Sequence, residues 1–317
     1  MGALNAANQW ERGNDRDSGR SSCRVLFTAD DFGLSPHLNQ AVALAHHFGL
    51  LQNASLMPAA PAARQAITLA RQLPGLCLGV HLTLIQGRAV LPPSALPNLV
   101  DAEGRFSSDP VSTGWRYFFD PRVLPEIRRE LAAQIEAVLA AGLPVWHLNG
   151  HLNLHLHPRV APLVVDLARE YRVPALRLAR EDWRTTASLA PGSPFPKAAL
   201  GVVFALLSRR AGVLAAAAGL VVNDHLFGLT NPGRVTEAYL VRLVPRLQPG
   251  LTEIYGHPAL AADPVLARAA PGYRRIEEFK ALVSPHLKET LARHNVEVTN
   301  FREVVQGQQP GAGQFSP

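Results

Sequence analysis

Short apolar runs alternate with longer stretches of helical periodicity through most of the chain, and this alternation constrains the fold more than any other feature. Arg24 to Thr28 reads as a strand, and Pro36 to Gly49, where Leu38, Val42 and Ala45 recur at helical spacing, as the helix that follows it. Further strands are expected at Asn53 to Met57, Leu76 to Leu84, Val145 to His151, Ala175 to Leu178, Leu220 to Val222, Gly250 to Tyr255 and Val296 to Val298. Helices are expected over Ala62 to Leu73, Leu124 to Ala141 and Arg159 to Tyr171. Strands separated by helices at this spacing build parallel βαβ units. A chain of 317 residues that is 47% hydrophobic suits a single α/β barrel with insertions.

Two stretches break the rhythm. Residues 86–121, with Pro92, Pro93, Pro97, Gly104, Pro110 and Gly114, are expected to form an insertion loop over one face. Residues 185–222 hold two apolar runs, Ala198 to Leu207 and Ala211 to Val222, separated by Ser208-Arg209-Arg210. Each run is far shorter than the roughly 20 residues of a membrane-spanning helix, so core helices or an interfacial hairpin are expected. Residues 1–22 are polar without the apolar core of a signal peptide, and read as a disordered leader of a cytoplasmic protein. The barrel is expected over 23–304, and residues 305–317, rich in Gln, Gly and Pro, read as a disordered tail.

The formal net charge of +6 comes almost wholly from arginine, since Lys197, Lys280 and Lys288 are the only lysines. The arginines are scattered and form no basic block with interleaved aromatics, so no nucleic-acid partner is expected. Cys23 and Cys77, the only cysteines, lack metal-type spacing and read as buried thiols of a reducing compartment. Composition leaves the oligomeric state open.

Four of the strand runs end on acid/base or metal-capable side chains. They are Thr28-Ala29-Asp30-Asp31-Phe32-Gly33, Gly79-Val80-His81-Leu82-Thr83, the His-rich segment from His147 to His157, and Glu253-Ile254-Tyr255-Gly256-His257-Pro258. Taken singly, each has a plain explanation: a helix N-cap pair at Asp30-Asp31, a hydrogen-bonded core histidine at His81, a strand-end histidine at His257. Their common placement at the C-terminal ends of parallel strands, where barrel catalytic groups gather, favours a metal-assisted hydrolase. Adjacent aspartates face different ways on an extended backbone, so one can hold a metal while the other takes a proton. His147, Asn149, His151, Asn153, His155 and His157 share one face only if the strand runs straight through, and Gly150 and Pro158 argue that only its first part does. Glu253 lies on the strand face of His257 and can orient it or another site group. Asp31-Phe32-Gly33 matches the kinase metal triplet by chance, because no Gly-rich loop precedes it.

At these residues the chain resembles the YdjC-like carbohydrate deacetylases, in motif order and spacing, over about residues 24–304. Asn149-Gly150, the Gly87 to Pro93 segment and the Asn98 to Phe106 segment make it most similar to the hopanoid-biosynthesis-associated branch. The resemblance implies an irregular (β/α) barrel of the polysaccharide-deacetylase type, parallel strands with helices outside, one divalent metal ion (zinc or magnesium), and removal of acetate from an N-acetylated sugar. Carried over by position, Asp31, His81 and His151 match the metal ligands, Asp30 the catalytic base, and His257 a late-barrel histidine taken as general acid. His147, Asn149 and Glu253 would stand behind them; His155, Asp224 and His225 are weaker candidates for substrate contacts. Asn149 stands where other branches have Asp, which removes a carboxylate that would orient His147 or His151.

A hopanoid substrate would be a lipid with an N-acetylglucosaminyl headgroup, and the runs in 198–222, with Arg209 and Arg210, would then contact the membrane surface from the cytoplasmic side. The alternatives are a soluble chito-oligosaccharide deacetylase, a metal-dependent glycosidase or phosphatase on a similar barrel, and a catalytically silent sugar- or lipid-binding barrel. The shortage of acidic residues near the motifs argues against the glycosidase and phosphatase, and the presence of Asp30 argues against silence.

Overall fold

A computed structural model of the chain describes residues 23–190 and 192–308, and the expected leader lies outside them. The first half follows the expected alternation: β1 (Cys23–Phe32), α1 (Pro36–Phe48), β2 (Asn53–Leu56), α2 (Ala63–Gln72), β3 (Cys77–Leu82), α3 (Pro110–Phe119), α4 (Val123–Ala140) and β4 (His147–Gly150). It continues with α5 (Ala161–Glu170), β5 (Ala175–Leu176), α6 (Trp183–Leu189), α7 (Pro194–Ala217), β6 (Val221–Val222), β7 (His225–Phe227), α8 (Glu237–Leu243) and β8 (Gly250–Gly256). The last elements are α9 (Pro264–Ala269), α10 (Arg275–Leu282), α11 (Pro285–Arg293), β9 (Val296–Thr299) and α12 (Phe301–Gly307).

All the strand pairings are parallel, in the order β6-β5-β4-β3-β2-β1-β8-β7, with β9 beside the first half of β1. β6 and β7 stand at opposite ends of that order, yet only Asn223 and Asp224 separate them in the chain. Three peptide steps span about 11 Å at most, so the two ends of the sheet must meet. Asn223 makes the junction, with its side chain accepting from Leu178 N and donating to Leu178 O, and Glu181 bridges to Leu226 just beyond. The sheet is thus an irregular barrel with helices outside.

Even-numbered residues of β1 (Leu26, Thr28, Asp30) face the barrel interior, and Val25, Phe27 and Ala29 pack outward in the main core with α1 and the other helices. At the N-terminal end, α12 plugs the barrel: Phe301, Val304 and Val305 pack on Leu26, Cys77, Ala175 and Leu251. Asn300 caps this helix by accepting from Glu303 N.

Three expectations need correction. The 86–121 insertion is not loop throughout, because Asp109 accepts from Val111 N and Pro110 starts α3. The runs in 198–222 are not two helices or a hairpin, since both belong to α7 as far as Ala217 and only Val221–Val222 form a separate element, β6. Ser208-Arg209-Arg210 contains no helix breaker, so α7 runs unbroken for 24 residues. The barrel also does not end at 304: α12 reaches Gly307 with Val305 buried.

Candidate metal centre

The interior is layered, and polarity rises toward the C-terminal ends of the strands. Nearest the plug, His147 stacks on Phe301 at 4.5 Å between ring centroids, and a Cβ on the paired Gly79 would fall 2.4 Å from its Nε2. Burial first, and Arg177 next, push the His147 pKa down to about 3, so this imidazole is neutral. His147 therefore lies one layer below the site and reaches no metal ligand.

Above it, Arg177 projects from the end of β5 and is fully buried. Its Nη1 donates to Asp30 Oδ2 at 2.5 Å, and its Nη2 donates to Asp30 Oδ1 at 2.9 Å and to Glu253 Oε1 at 2.8 Å. Thr28 also donates to Glu253, so that residue orients Arg177 and not His257. Asp30 Oδ1 also accepts from Ser55 Oγ at 2.8 Å and Asn149 Nδ2 at 3.2 Å. Burial alone would push the Asp30 pKa up. Arg177, followed by His81, outweighs burial and holds it well below the usual carboxylate range.

Asp31 would face outward if β1 stayed regular. A register irregularity between Ala29 and Phe32, with Asp31 at φ 62°, turns its carboxylate to the same end of the barrel as Asp30. Asp31 Oδ1 then lies 3.3 Å from His81 Nε2 and 3.1 Å from His151 Nδ1, and the three donor atoms fall within 4.8 Å of one another. Two ligands of a tetrahedral zinc are separated by about 3.4 Å, so this spacing suits one ion. Asn149 decides the tautomer. Its Nδ2 donates to Asp30, so its Oδ1 accepts from His81 Nδ1 at 2.8 Å, which leaves the His81 Nε2 lone pair facing the Asp31 carboxylate. A lone pair and a carboxylate face each other stably only across a proton or a cation. Asn149 thus orients His81, where His147 or His151 was expected.

His257 leaves β8 at the same end. Its backbone N–H donates to the buried Glu278 carboxyl at 2.7 Å, its ring lies 4.9 Å from Tyr273 between centroids, and its Nδ1 has no hydrogen-bond partner. Burial pushes its pKa down to about 4, with Asp31 acting in the opposite direction, so it rests neutral. Burial raises Glu278 to about 7.

The structure therefore gathers Asp30, Asp31, His81, His151 and His257 at one end. The strand of the His-rich segment ends at Gly150, and His151–Leu156 turns as a 3-10 segment with positive φ at Leu152 and Asn153. His155 is directed inward, with Nε2 on Arg177 O at 3.0 Å. Asp224 and His225 lie at the opposite end: Asp224 accepts from Leu251 N, and His225 is level with Thr252 at the start of β8. None of these three reaches the metal-ligand cluster. Arg177, Ser55 and Glu278 were missed from the sequence, although a lone arginine in the apolar run Ala175-Leu176-Arg177-Leu178 is a signal of a buried ion pair.

A family model described as YdjC-like protein matches residues 24–293. The chain belongs to the YdjC-like family. Among YdjC-like relatives, a carbohydrate deacetylase of Vibrio cholerae is 31% identical over 286 residues, 89% of this chain and 96% of that one. A carbohydrate deacetylase of Brevibacillus brevis is 30% identical over 282 residues, 89% and 99% of the two chains. Among solved structures, a protein of Enterococcus faecalis, provisionally described as a cellobiose-phosphate cleavage protein, superposes with a TM-score of 0.70. It is 26% identical over 90% of this chain and 99% of that one.

Proposed function

We propose that this YdjC-like protein is a metal-dependent hydrolase that removes acetate from an N-acetylated sugar. The observation that carries the reading is the Asp31, His81 and His151 donor set, with Arg177-bound Asp30 beside it. The curated relatives named carbohydrate deacetylase, matched over nearly their full length, support the same chemistry.

Asp31, His81 and His151 would hold one divalent ion, zinc or magnesium, which when bound supplies Lewis acidity to the acetamide carbonyl and to the attacking water. Asp30 takes the proton of that water. Arg177 keeps Asp30 ionised and fixes both its oxygens, so its protonated form gives the proton up readily. His257 rests neutral, so it receives a proton during turnover before delivering it to the departing amine. Glu278 positions His257 through its backbone.

The finer substrate reading is a lipid-linked N-acetylglucosamine of the hopanoid type, with residues 198–222 in peripheral contact with the membrane. It is favoured over a soluble chito-oligosaccharide by α7, whose Phe195, Val202, Leu206 and Val213 are all more than half exposed. Acetate release from acetylglucosaminyl-hopanoid and from chito-oligosaccharides, with purified metal-loaded protein, tests both levels. Release from neither removes the deacetylase reading, and equal kcat/KM on both removes the lipid preference alone.

A further inference from the structure

The burial pattern of α7 is inverted for a helix on a barrel. The fully buried residues of α7 are small: Gly201, Ser208, Ala211, Gly212 and Ala215. Phe204, Leu207 and Leu214 are only partly buried against the core, and the other large apolar residues face out. Phe195, Val202, Leu206 and Val213 recur at intervals of seven, four and seven, so they form one stripe along a helix of 24 residues, about 36 Å long. A soluble helix normally buries its large side chains and exposes its polar ones.

A second helix repeats the pattern at the site end of the barrel. In α3, Thr113 and Tyr117 are buried, and Val111, Trp115, Phe118 and Phe119 are exposed on the opposite face, with Trp115 and Phe119 stacked at 5.4 Å. This helix is tied to the exits of the two strands that lead to the metal ligands. Tyr117 Oη donates to Leu84 O at 2.7 Å, beyond His81, and Gly114 O is 3.1 Å from the Nε2 of His157, beyond His151. α7 touches the same 3-10 segment, packing Ala211, Phe204 and Leu207 with Leu156. Both apolar helices therefore adjoin the segment that begins at His151, whose Leu152 is itself exposed.

Charge identifies what covers them. From Trp183 to Val222 the chain contains no Asp or Glu, and Arg209 and Arg210 flank the α7 stripe, both exposed. Beyond the ends of β1 to β3, a cleft of about 640 Å³ is lined by Arg88, Arg105 and Arg268 and by no acidic residue. Arg88 and Arg105 oppose each other across an antiparallel bridge, where like charges repel. None of the three pairs with a carboxylate among the described residues. An anionic lipid surface meets both the apolar stripe and the arginines.

We propose that α3 and α7 are two membrane-docking helices that seat the mouth of the metal site on an anionic bilayer, with the cleft arginines against lipid headgroups. This deepens the lipid-linked reading, and its test measures binding without turnover, so the failure of one is distinguishable from the failure of the other.

The test is flotation of the full chain with vesicles of phosphatidylcholine plus phosphatidylglycerol, against phosphatidylcholine alone. The protein should float with the anionic vesicles, less with the neutral ones, and less as salt rises. The pairs Trp115→Ser/Phe119→Ser and Val202→Ser/Leu206→Ser should each lower the partition coefficient by about tenfold or more, because each removes two exposed apolar anchors. Their circular dichroism and melting temperature should be unchanged, since all four side chains project into solvent. Three results overturn the proposal: no flotation with anionic vesicles, partition that is insensitive to either pair, or a dimer that Val202→Ser/Leu206→Ser dissolves in a protein that ignores vesicles. The last would make the stripe a contact between copies.

Discussion

Arg177 holds Asp30 by two hydrogen bonds, Nη1 to Oδ2 at 2.5 Å and Nη2 to Oδ1 at 2.9 Å, with both residues buried in the barrel interior. This pair links the structural core to the chemistry. The same Nη2 reaches Glu253, so one guanidinium serves two interior carboxyl groups from the neighbouring strands β1 and β8.

Truncation of Arg177 leaves those groups buried without a cation. Arg177→Ala should cost about 3–5 kcal/mol of unfolding free energy, read by denaturant titration. Arg177→Lys keeps the charge and loses the fork, so it should retain more stability while acetate release still falls. If Arg177→Ala unfolds like the parent protein, the pair contributes nothing to the barrel.

Asp30→Asn should retain metal and fold and lose activity by about two to four orders of magnitude, as expected for removal of a general base. Metal analysis alongside acetate release checks both halves. Near-parental turnover would remove Asp30 from the reaction.

The layered interior explains what the sequence revealed and what it concealed. The βαβ rhythm and the strand-end motifs were legible because alternation and apolar runs are local signals, whereas the choice of Asp31, His81 and His151 among them came from the resemblance to the YdjC-like family. The distinction between His147, His151 and His155 was not legible. It depends on the turn after Gly150, where positive φ at Leu152 and Asn153 redirects the segment and aims His155 at Arg177 O. Arg177 itself lies 147 residues from Asp30, and only the closed sheet brings them together. The two faces of α7 were equally hidden, because a run that is apolar on every side has no period to show which side is buried.

Metal affinity should rise with pH. Burial opposes protonation of His81, but Asp30 and Asp31 outweigh it and raise its pKa above 6.5. In the metal-free protein this raised pKa contributes stability that is fully present below about pH 6.5 and is lost as pH rises through the folded value. A metal ion competes with that proton at Nε2. Chelator competition across this range should show weaker binding on the acid side, and a pH-independent constant would mean that His81 is not a ligand.

Glu278 titrates in the same region for a different reason. Burial raises it to about 7, so the folded state binds a proton that the unfolded carboxyl releases near pH 4.3. Stability from this group falls as pH rises from about 4.3 to 7 and then levels, and Glu278→Gln should remove that slope. Melting temperatures of both proteins across this window decide it. An identical slope in the variant would assign the pH dependence elsewhere.

The central claim is that Asp31, His81 and His151 hold one ion required for turnover. The direct measurement is metal stoichiometry and acetate release for the parent, His81→Ala, His151→Ala and His257→Ala, before and after chelation. The account predicts one equivalent of metal in the parent and in His257→Ala, little in the other two, and turnover that disappears on chelation and returns with the ion. Full metal occupancy in His151→Ala, or undiminished turnover by metal-free parent protein, would contradict it.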